Sequence, residues 1–284
     1  MADVTVRTLS PTEARLLNEL AAAGKTIFDT EDARAIMNGR GERVNKLLYR
    51  LTQKRWLFRL EKGKYMILPL EAGMEGLYTV HEFLIAAHLV KPYAIAYASA
   101  LSFHGLTDQV ARTVFVVSTS RRQNVTIEEL GLRYRFIAVT EDKFFGLETV
   151  IIEDQPVQIT DPAKTIVDGL DHPEYCGGIV EMAKGLWRYC HSEAADPSIE
   201  LRTRLDRLTR YALRLGNRTV LKRLGYLAEV LVLDVGEYLS RWQDEISAGM
   251  SLLDPRQGEY GPYSTRWNLR LNVDTYRLTE WQEH

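Results

Sequence analysis

The sequence lacks what would hold a small secreted domain together. Cys176 and Cys190 are the only two cysteines in 284 residues, too few for a disulfide framework. Long apolar runs are missing too. The best candidates, residues 83–90 and 93–101, fall well short of the roughly 18 to 20 residues a spanning helix needs, and they carry His88 and Ser99. The opening stretch MADVTVRTLSPTEARLL has no basic-then-apolar layout of a secretory leader, so a cytoplasmic protein without a membrane segment is expected. Also missing are the Gly-rich dinucleotide and P-loop patterns, a nucleophile elbow, a His-Glu-x-x-His pair, and the Gly-Ser start with following Asp-x-Asp of a nucleotidyltransferase. These gaps predict a non-enzyme with no cofactor and no metal.

What is present is an ordinary globular composition, 45% hydrophobic and 26% charged, at about twice the length of one domain. The net charge of −2 looks unsuited to a nucleic-acid partner until it is divided. Residues 1–70 carry 13 Lys and Arg against 8 Asp and Glu, a net of +5; residues 71–284 carry 23 against 30, a net of −7. Between Arg40 and Lys64 there are nine basic residues and two acids, Glu42 and Glu61. A local basic stripe is the electrostatic footprint that a whole-chain charge conceals. The plainer alternative is a three-helix module with a solvated face, packed on its own second domain.

Ser10-Pro11-Thr12-Glu13 reads as a capping box with proline at the first helical position. Leu16, Leu17, Leu20 and Ala21 continue at helical spacing until Gly24. A second short helix is predicted after Thr30, burying Ala33, Ile36 and Met37 and ending at Asn38-Gly39. In a third, from Glu42 to about Lys54, Val44, Leu47, Leu48 and Leu51 form one apolar stripe. Its opposite face carries Glu42, Asn45, Lys46, Tyr49, Arg50 and Gln53, mostly side-chain types that reach phosphates and base edges in a major groove. Residues 56–60 and 65–68 are β-prone runs around Lys62-Gly63-Lys64, a hairpin. The sum is a winged helix-turn-helix over residues 1–70. Arg43, Asn45, Lys46, Tyr49 and Arg50 are expected at the groove, Gln53, Lys54, Lys62 and Lys64 mainly at the DNA backbone, and Arg40 is counted among the DNA-binding residues.

Residues 69–76 (PLEAGMEG) form a Pro/Gly-bearing joint, and a second domain is expected over 77–284. Its first part, 77–192, reads as mixed α/β. Helices are predicted at 81–90 and 94–103, strands at 114–118, 134–139, 149–152 and 157–159, and a helix capped by Asp161. The part from 197 to 284 reads as mainly helical (199–215, 219–233, 235–246), with an alternating closing strand at 267–273. The fold class is therefore α+β.

The order of short motifs carries a resemblance. A basic winged helix precedes Ala98-Ser99-Ala100-Leu101-Ser102-Phe103-His104-Gly105-Leu106-Thr107. Then follow the strand at 114–119, Phe145-Gly146, Ile159-Thr160-Asp161-Pro162-Ala163-Lys164-Thr165-Ile166-Val167-Asp168, Pro173-Glu174-Tyr175-Cys176-Gly177-Gly178 and Leu224-Gly225-Tyr226-Leu227. This order resembles the AbiEi family of abortive-infection antitoxins, which double as transcriptional regulators. The resemblance implies a type IV toxin–antitoxin role. The N-terminal domain would repress its own operon on double-stranded promoter DNA, and the C-terminal domain would counter a nucleotidyltransferase-like toxin, directly or indirectly. The family's operon regulators tend to be strongly basic, whereas this chain has a pI near 6.3, so DNA binding is expected of the first domain alone. Helix-turn-helix readers meet paired half-sites, so inverted repeats are expected upstream, bound by a homodimer or by a monomer at each repeat.

Other constellations have plainer readings. His172, Cys176, Cys190 and His191 lack the paired short spacings of a zinc site and read as buried thiols and ordinary histidines. Asp161, Lys164 and Asp168 could form part of a metal or phosphate site. The structural reading makes Asp161 a cap, Lys164 a helix-surface residue and Asp168 a loop anchor. His104 reads as a packed residue at a helix C-terminus. Arg121 and Arg122 form a second small basic patch, a solvated loop or a contact for toxin or DNA. Two rival functions stay open: a ligand-responsive regulator without a toxin, and a nucleic-acid-processing enzyme with an α/β active site.

Overall fold

The computed structural model of the chain describes residues 8–38, 41–68, 80–192 and 197–283. Two compact units emerge, one of Met1–Leu89 with Ile127–Leu130 and one of Val90–Thr126 with Gly131–His284. The joint expected at 69–76 lies outside the described residues, and the first unit extends through the helix at Glu82–Leu89.

In the first unit, helix α1 (Pro11–Ala22) begins with the reciprocal bonds that Ser10 and Glu13 predict. The Glu13 amide donates to the Ser10 hydroxyl at 3.4 Å and the Ser10 amide donates to the Glu13 carboxylate at 2.8 Å. Both amides would otherwise be orphans of the first turn. Strand β1 (Ile27–Asp29) follows, then α2 (Thr30–Met37). Asp29, rather than Thr30, caps α2, through a second capping box with Asp32. Asn38 ends the helix in the left-handed region at φ 46°, which its short polar side chain tolerates.

Helix α3 (Gly41–Gln53) buries Val44, Leu47, Leu48 and Leu51, the stripe that periodicity predicts. The hairpin is β2 (Leu57–Glu61) and β3 (Lys64–Ile67), turned by Lys62-Gly63 with Gly63 at φ +82°. Strand order is β1-β3-β2, with β3 antiparallel to both neighbours. The amide and hydroxyl of Thr30 both donate to the Gly63 carbonyl, at 2.9 and 3.2 Å, which pins the hairpin tip to the start of α2. Leu16, Leu20, Phe28, Ala33, Val44, Leu48, Leu51 and Leu57 form the core. Helix α4 (Glu82–Leu89) completes the unit and buries Phe83, Leu84, Ile85, Ala86 and Leu89.

The second unit is built on a mixed sheet. Its strands are β4 (Ala94–Ile95), β5 (Thr113–Ser118), β6 (Val125–Ile127), β7 (Leu132–Ala138), β8 (Leu147–Ile152) and β9 (Gln155–Thr160), in the order β6-β7-β5-β4-β9-β8. The helix expected at 94–103 is corrected here. Ala94 and Ile95 are fully buried and bridge β5 on one side and β9 on the other, so only Tyr97–Phe103 forms α5. A two-residue strand is too short to leave a period of its own in the sequence.

Helices α6 (Pro162–Asp171), α7 (Ile179–His191), α8 (Pro197–Leu215), α9 (Thr219–Val230) and α10 (Tyr238–Asp244) follow. Where one long closing strand is expected at 267–273, only Leu269–Arg270 pairs, as β12. It lies between β10 (Ser251–Leu252) and β11 (Tyr263–Ser264), ahead of α11 (Thr275–Thr279). Trp267 turns inward instead; its indole is buried and donates to Glu229 at 2.6 Å. The large core gathers Leu101, Ile166, Val167, Met182, Leu186, Leu208, Leu224, Leu227 and Trp242. The architecture is α+β. Among the described residues no helix is long and apolar enough to cross a membrane.

Candidate nucleic-acid interface

The face of α3 opposite its apolar stripe is exposed at Glu42, Arg43, Asn45, Lys46, Tyr49, Arg50 and Gln53, with Tyr49 at 66% exposure. Arg43, Lys46 and Arg50 line a groove of about 800 Å³ together with Thr12 at the start of α1 and Met37 and Asn38 at the end of α2. Arg40 lies outside the described residues. Thr12 and Asn38 have no basic signature and escape a search for charge; the helix-end signals at Ser10 and Asn38 are what could have pointed to them.

The cations of this face differ in how far they are engaged. Arg43 has no carboxylate within ion-pair distance among the described residues, while Lys46 pairs with Glu42 at 2.9 Å in a fully exposed i,i+4 contact, worth a few tenths of a kcal/mol. Lys54 is tied inward: its ammonium donates to Glu13 at 2.7 Å, and Arg50 lies 3.8 Å from the same carboxylate. Glu13 is 1% exposed. Burial pushes its carboxyl up, but the bonds from Lys54 and from the amide and hydroxyl of Ser10 outweigh that and hold it below the usual carboxylate range. The result is a fixed charge link between the start of α1 and the end of α3. Sequence reading finds Glu13 only as a cap, because nothing in a linear pattern joins residues 41 apart.

At the hairpin, Lys62 is exposed at the tip. Lys64 is half-buried; it pairs with Glu61 at 3.0 Å and donates to the His88 carbonyl. Lys62 is thus the freer cation of the two.

In the second unit, Arg121 is exposed and the Arg122 guanidinium lies over the Phe136 ring, 5.4 Å from its centroid. Lys164 is corrected from the surface position expected of it. It is only 4% exposed and forms a buried ion pair with Asp168 one turn along α6. Burial pushes the Asp168 carboxyl up despite the ammonium beside it. Asp161 caps α6, accepting from the Lys164 amide at 2.8 Å and from the Tyr211 hydroxyl at 2.9 Å. His104 packs at the end of α5 with Nε2 2.7 Å from the Thr160 carbonyl. Both thiols are buried. Burial pushes Cys176 well up and Cys190 up to about 12, which favours the inert thiol over the thiolate that binds metal. Among the described residues no three His, Cys, Asp or Glu side chains converge as a ligand set.

No family model matches the chain, and no curated protein matches it in sequence. Among solved structures it is similar to the crystal structure of the RV2827C protein from Mycobacterium tuberculosis. The TM-score is 0.64 and the identity 14%, over 100% of this chain and 98% of that one. At that identity the likeness is one of fold, and it runs the length of both chains.

Proposed function

We propose that this chain is a DNA-binding repressor and the antitoxin of a type IV toxin–antitoxin pair. In this reading the first unit is a winged helix-turn-helix. Helix α3 enters the major groove, the β2–β3 hairpin is the wing, and Lys62 at its tip meets the DNA backbone. The observation that carries the reading is the combination of topology and charge. The order α1-β1-α2-α3-β2-β3, with β1 paired to the hairpin, leaves α3 with an exposed face of Arg43, Asn45, Lys46 and Arg50. Arginine and lysine there suit guanine edges and phosphates, and asparagine suits adenine. Thr12 and Asn38, at the two helix ends beside the groove, are backbone-contact candidates of the kind that fix register.

The antitoxin half of the proposal rests on the AbiEi-like motif order. The partner would be a nucleotidyltransferase-like toxin, met directly or through a shared target. Co-expression with the product of the adjacent reading frame, followed by growth assay and pull-down, tests it; a chain that leaves growth arrest unrelieved removes the antitoxin role. The DNA half is tested with the Lys46→Ala, Arg50→Ala double variant on a fragment of the chain's own upstream region. Specific binding is expected to be lost while the fold stays intact, read as a cooperative thermal transition and an unchanged circular-dichroism spectrum. Full retention of affinity sinks the assignment of α3.

A further inference from the structure

Strand β8 ends the large sheet, paired with β9 on one side and, among the described residues, with no strand on the other. The bonds around it fix which way its backbone points. The Asp161 amide donates to the Gly146 carbonyl, and the Gln158 amide donates away from β8, to the Tyr93 hydroxyl. Bonded and non-bonded pairs alternate along an antiparallel ladder. In the observed register, Glu148, Val150 and Ile152 are therefore the residues that exchange bonds with β9. Leu147, Thr149 and Ile151 turn their amides and carbonyls outward, and no described residue bonds to those groups.

An open edge is a template for another strand, and proteins blunt such edges with lysine, proline, a bulge or a short strand. Edge strand β2 has a bulge between Arg59 and Glu61, and β6, at the other end of the large sheet, has only three residues. Strand β8 has none of these devices. Its six residues, LETVII, run in unbroken register, and Glu148 is their single charge. Ile151 is 67% exposed. The edge is also complementary to itself. Set antiparallel to a second copy about a two-fold axis at Thr149, Thr149 faces Thr149 and Leu147 faces Ile151. Every outward amide and carbonyl of both strands is then bonded, and Glu148 faces Val150. An axis at Val150 would set Leu147 against the turn residue Glu153, which is held at φ 48°. An axis at Glu148 would set two carboxylates face to face, which is destabilising.

We propose that β8 is a homodimer interface, at which two copies of this chain join their large sheets edge to edge about an axis through Thr149. The pairing covers Ile151 of each copy with Leu147 of the other. It also sets two threonines opposite, a favourable cross-strand pair. Thr149 Oγ1 already accepts from the Gln158 side-chain amide at 2.6 Å, so its own hydroxyl hydrogen points to the other copy. A contact of one patch with itself closes at two copies. One strand a side is a small interface, so the dimer is a weak one.

The test is sedimentation of the full chain from about 1 to 300 μM, where a monomer–dimer equilibrium with a Kd of roughly 10 to 100 μM is expected. Thr149→Pro removes an outward amide that β9 does not use, and Ile151→Lys puts a charge on the exposed edge. Each is expected to weaken the dimer by about tenfold or more with an unchanged circular-dichroism spectrum. Val110→Lys, at an apolar residue 87% exposed and off the sheet, is expected to dimerise as the native chain does. Oxidation reads the register. Thr149→Cys places two thiols on backbones about 5.5 Å apart across the axis, within disulfide reach, and should link the copies. Ile151→Cys, about 14 Å from its counterpart at strand spacing, should not; both native thiols are buried. A monomer at every concentration overturns the interface. So does native dimerisation in Thr149→Pro and Ile151→Lys, an equal loss in Val110→Lys, or linkage at Ile151→Cys as ready as at Thr149→Cys. None of these readouts involves DNA.

Discussion

At the residue scale the first unit depends on one carboxylate. Glu13 closes the capping box of α1 and holds Lys54 at the far end of α3. Its folded-state carboxyl is depressed, so the stability it adds is fully present above the ordinary carboxylate range and is lost as pH falls through the lower folded value. Acid unfolding of the first unit should therefore begin at higher pH than in a Glu13→Gln variant measured relative to its own neutral stability, because the glutamine no longer titrates. Equal acid limbs in circular dichroism would contradict this. Ser10→Ala removes the other half of the box and should cost about 1 kcal/mol in denaturant unfolding. Lys62→Ala, by contrast, should leave stability within about 0.5 kcal/mol. It should weaken DNA binding evenly across sequences and lower the salt slope by about one.

At the element scale, what the sequence makes legible is whatever a local rule controls. The stripe of one valine and three leucines on α3, the Ser10 and Asp161 caps and the Lys62-Gly63 turn are all set within a few residues, and the structure has them where the pattern puts them. What stays hidden is set by partners distant in sequence. Strand β1 exists because β3 offers it a ladder, and Ala94-Ile95 is a strand because it sits between β5 and β9. Lys164 looks like a surface lysine until α8 covers α6 and buries its pair with Asp168. The candidate interface divides in the same way. The exposed face of α3 is readable from periodicity, whereas the link from Glu13 to Lys54 and the contributions of Thr12 and Asn38 need the fold. Helix α9 shows how tight such distant packing is: a Cβ on Gly225 would stand 2.1 Å from the Trp267 ring. Gly225→Ala should destabilise the second unit by about 1–3 kcal/mol or more through overpacking, read as a lower thermal midpoint; an unchanged midpoint would mean that Trp267 can move aside.

At the scale of the whole molecule, charge is partitioned rather than absent. A chain of net −2 contains a first segment of +5 and a remainder of −7, so the DNA binding proposed for it rests on residues 1–70. The likeness of fold to the RV2827C protein covers both chains almost end to end at 14% identity. The central claim is that the exposed basic face of α3, with the hairpin beside it, binds promoter DNA. The most direct measurement is fluorescence anisotropy of the full chain on a labelled fragment of its own upstream region and on a shuffled fragment, at about 50 and 200 mM salt. The account predicts a clear preference for the upstream fragment, a fall in affinity of roughly 100-fold or more between the two salt concentrations, and loss of that preference in the Lys46→Ala, Arg50→Ala variant. Equal affinity at both salt concentrations, or a double variant that binds as the native chain does, would contradict it.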